Sequence, residues 1–339
     1  MRAASLYSRG MTEFDLIKQF FSRPTQRAAL SGGDDCALLN PTVGSQLVIS
    51  SDMLVEGRHF FADVGPFSLG HKALAVNLSD LAACGATPVA FTLALSLPRI
   101  DGAWLQAFAD GLYALADAHS CELVGGDTTQ GPLTICITVF GEVPRGQALL
   151  RSGAQVDDDV YVSGTLGDAR LALDALQGRI QLPPDILANA RLRLELPAPR
   201  IALGTALRSI ATSAIDISDG LTGDLGHILK ASRTGARISL SDTIDLIASN
   251  VHGTGAGGLF DHKNRLDYVL AGGDDYELCF TAPASRRQAV QAAAVQSATP
   301  VTRIGVVEAE PGLRLCDADG RALTACPTSF DHFAPAQVS

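Results

Sequence analysis

The sequence predicts an α/β protein of two domains, built as layers of helix on sheet. Three observations carry this. Apolar strand-like runs alternate with helical ones, as in "TPVAFTLALSLP" (87–98) followed by "DGAWLQAFADGLYALADAHS" (101–120). The 339 residues exceed one ordinary core and fit two domains of about 150–180 residues each. The chain is 47% hydrophobic and rich in Ala, Leu and Gly, which supplies apolar material for both cores.

The elements follow in order. "MRAASLYSRG" lacks the apolar stretch of a signal peptide and is expected to be a disordered extension ending at residue 11. "MTEFDLIKQFF" (11–21) reads as a helix, with Thr12 as N-cap and Asp15 three residues on. A Gly-rich loop holds residues 31–35, and "SQLVISSDML" (45–54) is a strand ending in polar residues. "FSLGHKALAVNLSDLAACGA" (67–86) has helical spacing and stops at Gly85. After the strand–helix pair at 87–120, "CELVGGDTTQG" (121–131) is a strand running into a Gly turn, and "PLTICITVFGEVP" is another strand. The polar "RSGAQVDDD" (151–159) begins a fresh unit. It places the domain boundary near 150, giving domains 12–150 and 151–339, and Asp157, Asp158 and Asp159 read as a solvated turn.

"VYVSGTLGDARLAL" reads strand, Gly turn, helix, and "LPPDILANARLRLELPAPR" (182–200) reads as a Pro-rich connection. "SAIDISDGLTGDLGHILKAS" (213–232) is a short strand, an acidic turn and a helix. "RISLSD" is a strand, "SNVHGTGAGGLFDHK" (249–263) a loop or badly broken helix, and "AGGDDYELCF" (271–280) leads into a strand. Strand-like runs and a DG turn finish the chain.

The net charge of −10 argues against nucleic acid and anionic membrane surfaces as partners. The seven cysteines are scattered with no CxxC pair, the pattern of buried, reduced thiols in a cytoplasmic protein rather than a zinc site. No apolar run reaches the roughly 18 residues of a membrane span. Neither a Walker A loop nor a kinase-type Gly loop with its lysine occurs.

Gly-Gly-Asp is written three times, at 32–34, 125–127 and 272–274. Asp34 lies in a Gly loop, Asp52 and Asp127 close apolar strands, Asp80 interrupts an apolar helix, and Asp216 and Asp219 bracket a turn after a strand. Carboxylates, with the hydroxyls of Ser50, Ser51 and Ser218, are hard oxygen ligands that select Mg²⁺ or Ca²⁺ over zinc. No compact calcium loop is present. Because Mg²⁺ takes one or two carboxylates and completes its shell with phosphate and water, dispersed acids point to several Mg²⁺ ions and a polyphosphate ligand. An acidic chain can bind such a ligand where the cation bridges the two.

The blocks "GGDDCALL", "SSDMLVEGRHF", "HKALAVNLSDLAACGATP", "LVGGDTTQGPL", "LLRSGA", "AIDISDGLTGDLGHI", "GGDDYELCF" and "FDHF" occur in this order from residue 32 to 333. As a set they resemble the thiamine-monophosphate kinase family of the aminoimidazole ribonucleotide synthetase superfamily. The resemblance implies two α/β domains, a homodimer whose N-terminal sheets join into a barrel, and ATP-dependent phosphorylation of thiamine monophosphate to thiamine diphosphate. It implies Asp34, Ser50, Ser51, Asp52, Asp80, Asp127, Asp216 and Asp219 as Mg²⁺ ligands. Tyr113, Gly126, Asp127, Arg151 and Ser218 match nucleotide-contacting positions, and His59, Asp274 and Phe330 match substrate-contacting ones. No general base is implied.

Three positions depart from the family pattern: Ser51 for Thr in Ser-Thr-Asp, Asp274 for Glu in GGEDYE, and Phe330 where Tyr or Trp is usual. Two rival readings are another ATP enzyme of the superfamily and a non-catalytic thiamine-phosphate binder. Of the former, a selenophosphate synthetase would want a reactive cysteine in an N-terminal Gly-rich loop, a hydrogenase-maturation dehydratase a C-terminal cysteine where this chain reads "APAQVS", and the purine-pathway synthetases differ in motifs around the metal sites; the latter would not need the full acidic set.

Overall fold

The computed structural model describes residues 12–247 and 262–323. The expectations for residues 1–11, for most of 249–263 and for Phe330 lie outside these. The chain divides into two compact units. The first runs to Gly146 apart from Ala82–Gly85, which groups with the second, Gln147–Ser339.

In the first unit, helix α1 (Glu13–Phe20) starts at a capping box: Thr12 Oγ1 accepts the Asp15 N–H, and the Asp15 carboxylate accepts the Thr12 N–H. Strands β1 (Ala28–Leu30) and β2 (Leu38–Leu39) pair antiparallel around the first Gly-Gly-Asp. Then follow β3 (Ser45–Val55), α2 (Pro66–Ala83), β4 (Thr87–Leu97), α3 (Gly102–Ala118), β5 (Glu122–Gln130) and β6 (Thr134–Pro144). The sheet runs β3-β6-β4-β5. β4 and β5 are parallel because α3 carries the crossover; the other pairs are antiparallel. Every second residue of β6 from Ile135 to Val139 is buried, and Leu74, Leu78, Leu81, Leu105, Phe108 and Leu112 of the two long helices are fully buried. The helices touch backbone to backbone: a Cβ on Gly111 would stand 1.9 Å from the Phe67 carbonyl oxygen.

The second unit holds β7 (Asp158–Ser163), α4 (Asp168–Leu176), α5 (Pro184–Glu195), α6 (Ile201–Ala206), β8 (Ser213–Asp216), α7 (Leu221–Ser232) and β9 (Gly235–Ser239). It continues through α8 (Leu240–Thr243), α9 (His262–Ala271), β10 (Leu278–Pro283), α10 (Arg287–Gln296), β11 (Val301–Glu308) and β12 (Gly312–Cys316). Its sheet order is β12-β9-β11-β7-β10-β8, with only β12 and β9 parallel. Val160, Val162, Ile215, Ile238, Ile304 and the inner face of α7 share one apolar core.

Four expectations need correction. The Pro-rich 182–200 segment holds α5, because Pro184 stands at the tolerated first position and the stretch after it is rich in Leu, Ala, Arg and Glu, good helix formers. Residues 125–127 stay inside β5, so the second Gly-Gly-Asp is strand rather than turn. Asp158 and Asp159 are buried in β7, not solvated: Asp159 is gripped by Arg287 at 2.6 Å and Arg303 at 3.2 Å. Cys36 is exposed.

Candidate functional site

In the first unit the acids collect around β3. Asp52 lies within this long strand, not at its end. Strand periodicity puts Ser50 and Asp52 on the face toward α2. There Ser50 Oγ donates to the Asp80 carboxylate, and the Asp52 N–H donates to Asn77 Oδ1 at 3.0 Å. Asp80 follows Asn77 by three residues on α2, so both lie on one helix face. Burial first, and the Asp80 charge second, push Asp52 up to about 6. Ser50, Asp52 and Asp80 are therefore brought together.

Ser51 and Asp127 are not part of that group. Ser51 points to the opposite face of the sheet, 2.9 Å from Thr138 Oγ1. The register aligns Met53, Cys136, Ala94 and Asp127 across four strands, so Asp127 shares the face of Ser51 at the other edge, about 14 Å away at the usual strand spacing. Gly126, beside it, has φ +149°, and a Cβ there would meet the Leu93 carbonyl oxygen at 1.9 Å. Only glycine lets β5 approach β4 at this point.

Asp34 is exposed on the β1–β2 loop, its carboxylate accepting the Asp35 N–H at 2.8 Å. Two acids that the sequence reading missed anchor the chain on either side of that hairpin. Glu122 accepts the backbone N–H groups of Gln26, Arg27 and Ala28, and Glu142 accepts both the N–H and hydroxyl of Thr42. His59 follows β3, and its Nδ1 accepts the Val55 N–H at 3.0 Å, leaving Nε2 as the protonated nitrogen of the neutral ring. Tyr113 is buried on α3 with the Arg23 guanidinium 3.5 Å above its ring. Burial pushes its hydroxyl up to about 12.

In the second unit two distant motifs meet. The Ile217 and Ser218 carbonyls accept the N–H groups of Tyr276 and Asp274 at 2.8 and 2.9 Å, extending the β8–β10 pairing. Asp216, Ser218, Asp219 and Asp274 thereby occupy one edge of the sheet. The turn between β8 and α7 is closed by Asp224, whose Oδ2 accepts from the backbones of Ser218, Asp219 and Gly220, each at 3.1 Å. Burial pushes Asp224 up to about 7 even against these three donors.

The 272–277 strap is fixed by alternation. Asp275 points inward and accepts the Gly167 N–H at 2.9 Å. Glu277, fully buried, accepts from Ser163, Arg193 and Arg200, each at 2.6 Å. Asp274 and Tyr276 both adopt positive φ, 63° and 51°, and the Tyr276 hydroxyl donates to Asp274 Oδ1 at 3.0 Å. Arg151 is exposed along the edge of β8: the preceding Leu150 carbonyl accepts the Ala214 N–H, and Ser232 Oγ donates to the Arg151 carbonyl.

Among the described residues no three His, Cys, Asp or Glu side chains form a ready metal cage. The donors are pairs of carboxylates with hydroxyls. That set suits Mg²⁺, which takes few protein ligands, and not zinc.

The chain matches the model of the AIR synthase related protein N-terminal domain over residues 33–143 and that of its C-terminal domain over 156–317. It is 46% identical to the thiamine-monophosphate kinase of Salmonella typhimurium, covering 95% of this chain and 98% of that protein. It is 40% identical to that of Haemophilus influenzae, again over 95% and 98%. The crystal structure of thiamine-monophosphate kinase from Stenotrophomonas maltophilia superposes with a TM-score of 0.79 at 45% identity, covering 88% of this chain and 92% of that one. The structure of AaThiL complexed with AMPPCP and TMP superposes with a TM-score of 0.74 at 29% identity, covering 87% and 89%. Matched over 95% of its sequence and in both family domains, this chain belongs to the thiamine-monophosphate kinase family.

Proposed function

We propose that this chain transfers the γ-phosphoryl group of ATP to thiamine monophosphate, giving thiamine diphosphate. The carrying observation is the half-buried Asp52–Asp80 pair of a chain that spans its kinase relatives almost completely. Asp34, Ser50, Ser51, Asp52, Asp80, Asp127, Asp216 and Asp219 are assigned as Mg²⁺ ligands. Tyr113, Gly126, Asp127, Arg151 and Ser218 are assigned to the nucleotide, and His59, Asp274 and Phe330 to thiamine monophosphate. The 12–150 region is assigned to metal and nucleotide binding and to dimerisation, and 151–339 is the second α/β domain.

The acceptor is a phosphate monoester whose second pKa is about 6, so its attacking oxygen is largely ionised at neutral pH and needs no general base. The difficulty is bringing two anions together. Bound Mg²⁺ supplies charge neutralisation between them. The side chains hold the two phosphates in line, and Arg151 adds a forked contact to phosphate oxygens. Free thiamine, a neutral alcohol, is expected to be a poor acceptor for want of a base.

A homodimer in the cytoplasm is part of this reading. Leu47, Ile49 and Met53 repeat at every second or fourth residue of the edge strand β3 and are exposed, an apolar stripe that a second copy would cover. Among the described residues no helix is long and apolar enough to cross a membrane.

The test is a coupled ATP assay with thiamine monophosphate and Mg²⁺, following thiamine diphosphate by chromatography, with Asp52→Asn as control. Diphosphate formed one-for-one with ADP and lost in the control supports the proposal. ATP hydrolysis without diphosphate would discard the substrate.

A further inference from the structure

Asn77 is a residue its helix would not choose. Asn competes with helix backbone for hydrogen bonds and is disfavoured in helix interiors. Here it sits deep in the apolar helix α2, 1% exposed. Both ends of its amide are used: Nδ2 donates to the Ala73 carbonyl at 3.0 Å, and Oδ1 accepts the Asp52 N–H at 3.0 Å. The second bond crosses from helix to strand and ends on the backbone of Asp52 itself. Three residues later on the helix, and two residues earlier on the strand, the Ser50 hydroxyl donates to Asp80.

We infer that Asn77 is a positioning residue for the metal-binding carboxylates: it clamps β3 to α2 and so sets the separation of Asp52 and Asp80. Two like charges on neighbouring elements repel. Without a fixed link, strand and helix can relax apart, and a cation would have to draw them together at a cost in affinity. A neutral amide suits this place. It supplies the acceptor that the Asp52 N–H needs and the donor that anchors its own orientation, without adding a third negative charge. The inference rests on the proposed metal role of Asp52 and Asp80, and it adds a residue that touches neither metal nor substrate.

The test uses the full-length protein and Mn²⁺ as the probe, with bound ion read from loss of the free-ion EPR signal. Asn77→Ala removes both bonds. Asn77→Ser, which keeps a polar group too short to reach the strand, serves where the alanine variant is poorly soluble. Ala75→Gly, a fully buried change on the same helix, is the control for lost stability alone. Mn²⁺ affinity is expected to fall about tenfold in the Asn77 variants, with a matching rise in the Mg²⁺ concentration for half-maximal activity and little change in the KM for thiamine monophosphate. Ala75→Gly is expected to lower the melting temperature without moving Mn²⁺ affinity. Equal Mn²⁺ affinity in the Asn77 variants and wild type would overturn the inference, as would an equal loss in Ala75→Gly. Wild-type Mn²⁺ binding unchanged by Asp80→Asn would overturn the metal assignment, and the inference with it.

Discussion

Asp52→Asn is expected to make the metal-free protein more stable while abolishing its activity. In the absence of cation, burial and the Asp80 charge move the Asp52 carboxyl from 3.8 to about 6. At ~1.36 kcal/mol per pKa unit, keeping it ionised at pH 7 costs ~3 kcal/mol. An amide of the same shape removes the charge but retains a desolvation cost, so a net gain of ~1–3 kcal/mol is expected. For a unit of this size that is a rise of roughly 2–10 °C in melting temperature.

The sign follows from linkage. A raised carboxyl binds its proton more tightly in the folded state, so its penalty is full above about 6 and disappears as pH falls toward 3.8. The advantage of the asparagine variant should therefore be large at pH 7 in EDTA and shrink by pH 4.5. Millimolar Mg²⁺ should raise the melting temperature of the wild type more than that of the variant. Thermal unfolding at two pH values, with and without Mg²⁺, measures all of this. A variant no more stable than wild type at pH 7, or a gap unchanged at pH 4.5, would refute the electrostatic reasoning.

Three further perturbations test other parts of the structure. Glu277→Gln leaves the Arg193 and Arg200 guanidinium groups facing an amide in a buried site, and is expected to cost ~3–5 kcal/mol in urea unfolding; a loss below about 1 kcal/mol would mean that solvent already screens the pair. Gly126→Ala forces a Cβ onto the Leu93 carbonyl at a φ of +149°, so ~1–3 kcal/mol of destabilisation is expected, visible as a lowered melting temperature. Tyr276→Phe removes only the hydroxyl that donates to Asp274; steady-state kinetics should show the KM for thiamine monophosphate raised about fivefold, the equivalent of ~1 kcal/mol, with the KM for ATP unchanged.

The sequence by itself determined the alternation of strands and helices in each half, the capped start of α1 and the oxygen-rich character of the site. These are local matters: periodicity of 2 or 3.6, the chemistry of an N-cap, and the preference of carboxylates for hard cations. It also carried the family, because eight short blocks in one order are legible without coordinates. Tertiary structure decided which acids serve as scaffold. Glu122, Glu142 and Glu277 read in sequence like any other surface acid, yet each is spent on backbone N–H groups, hydroxyls or arginines that approach from elsewhere in the chain. Asp159 read as part of a solvated run and is buried under two arginines. The parity of β3 likewise sent Ser50 and Asp52 to one face and Ser51 to the other, because a strand alternates its side chains whatever their motif. Burial and long-range pairing are properties of position in space, and neighbours in sequence do not report them.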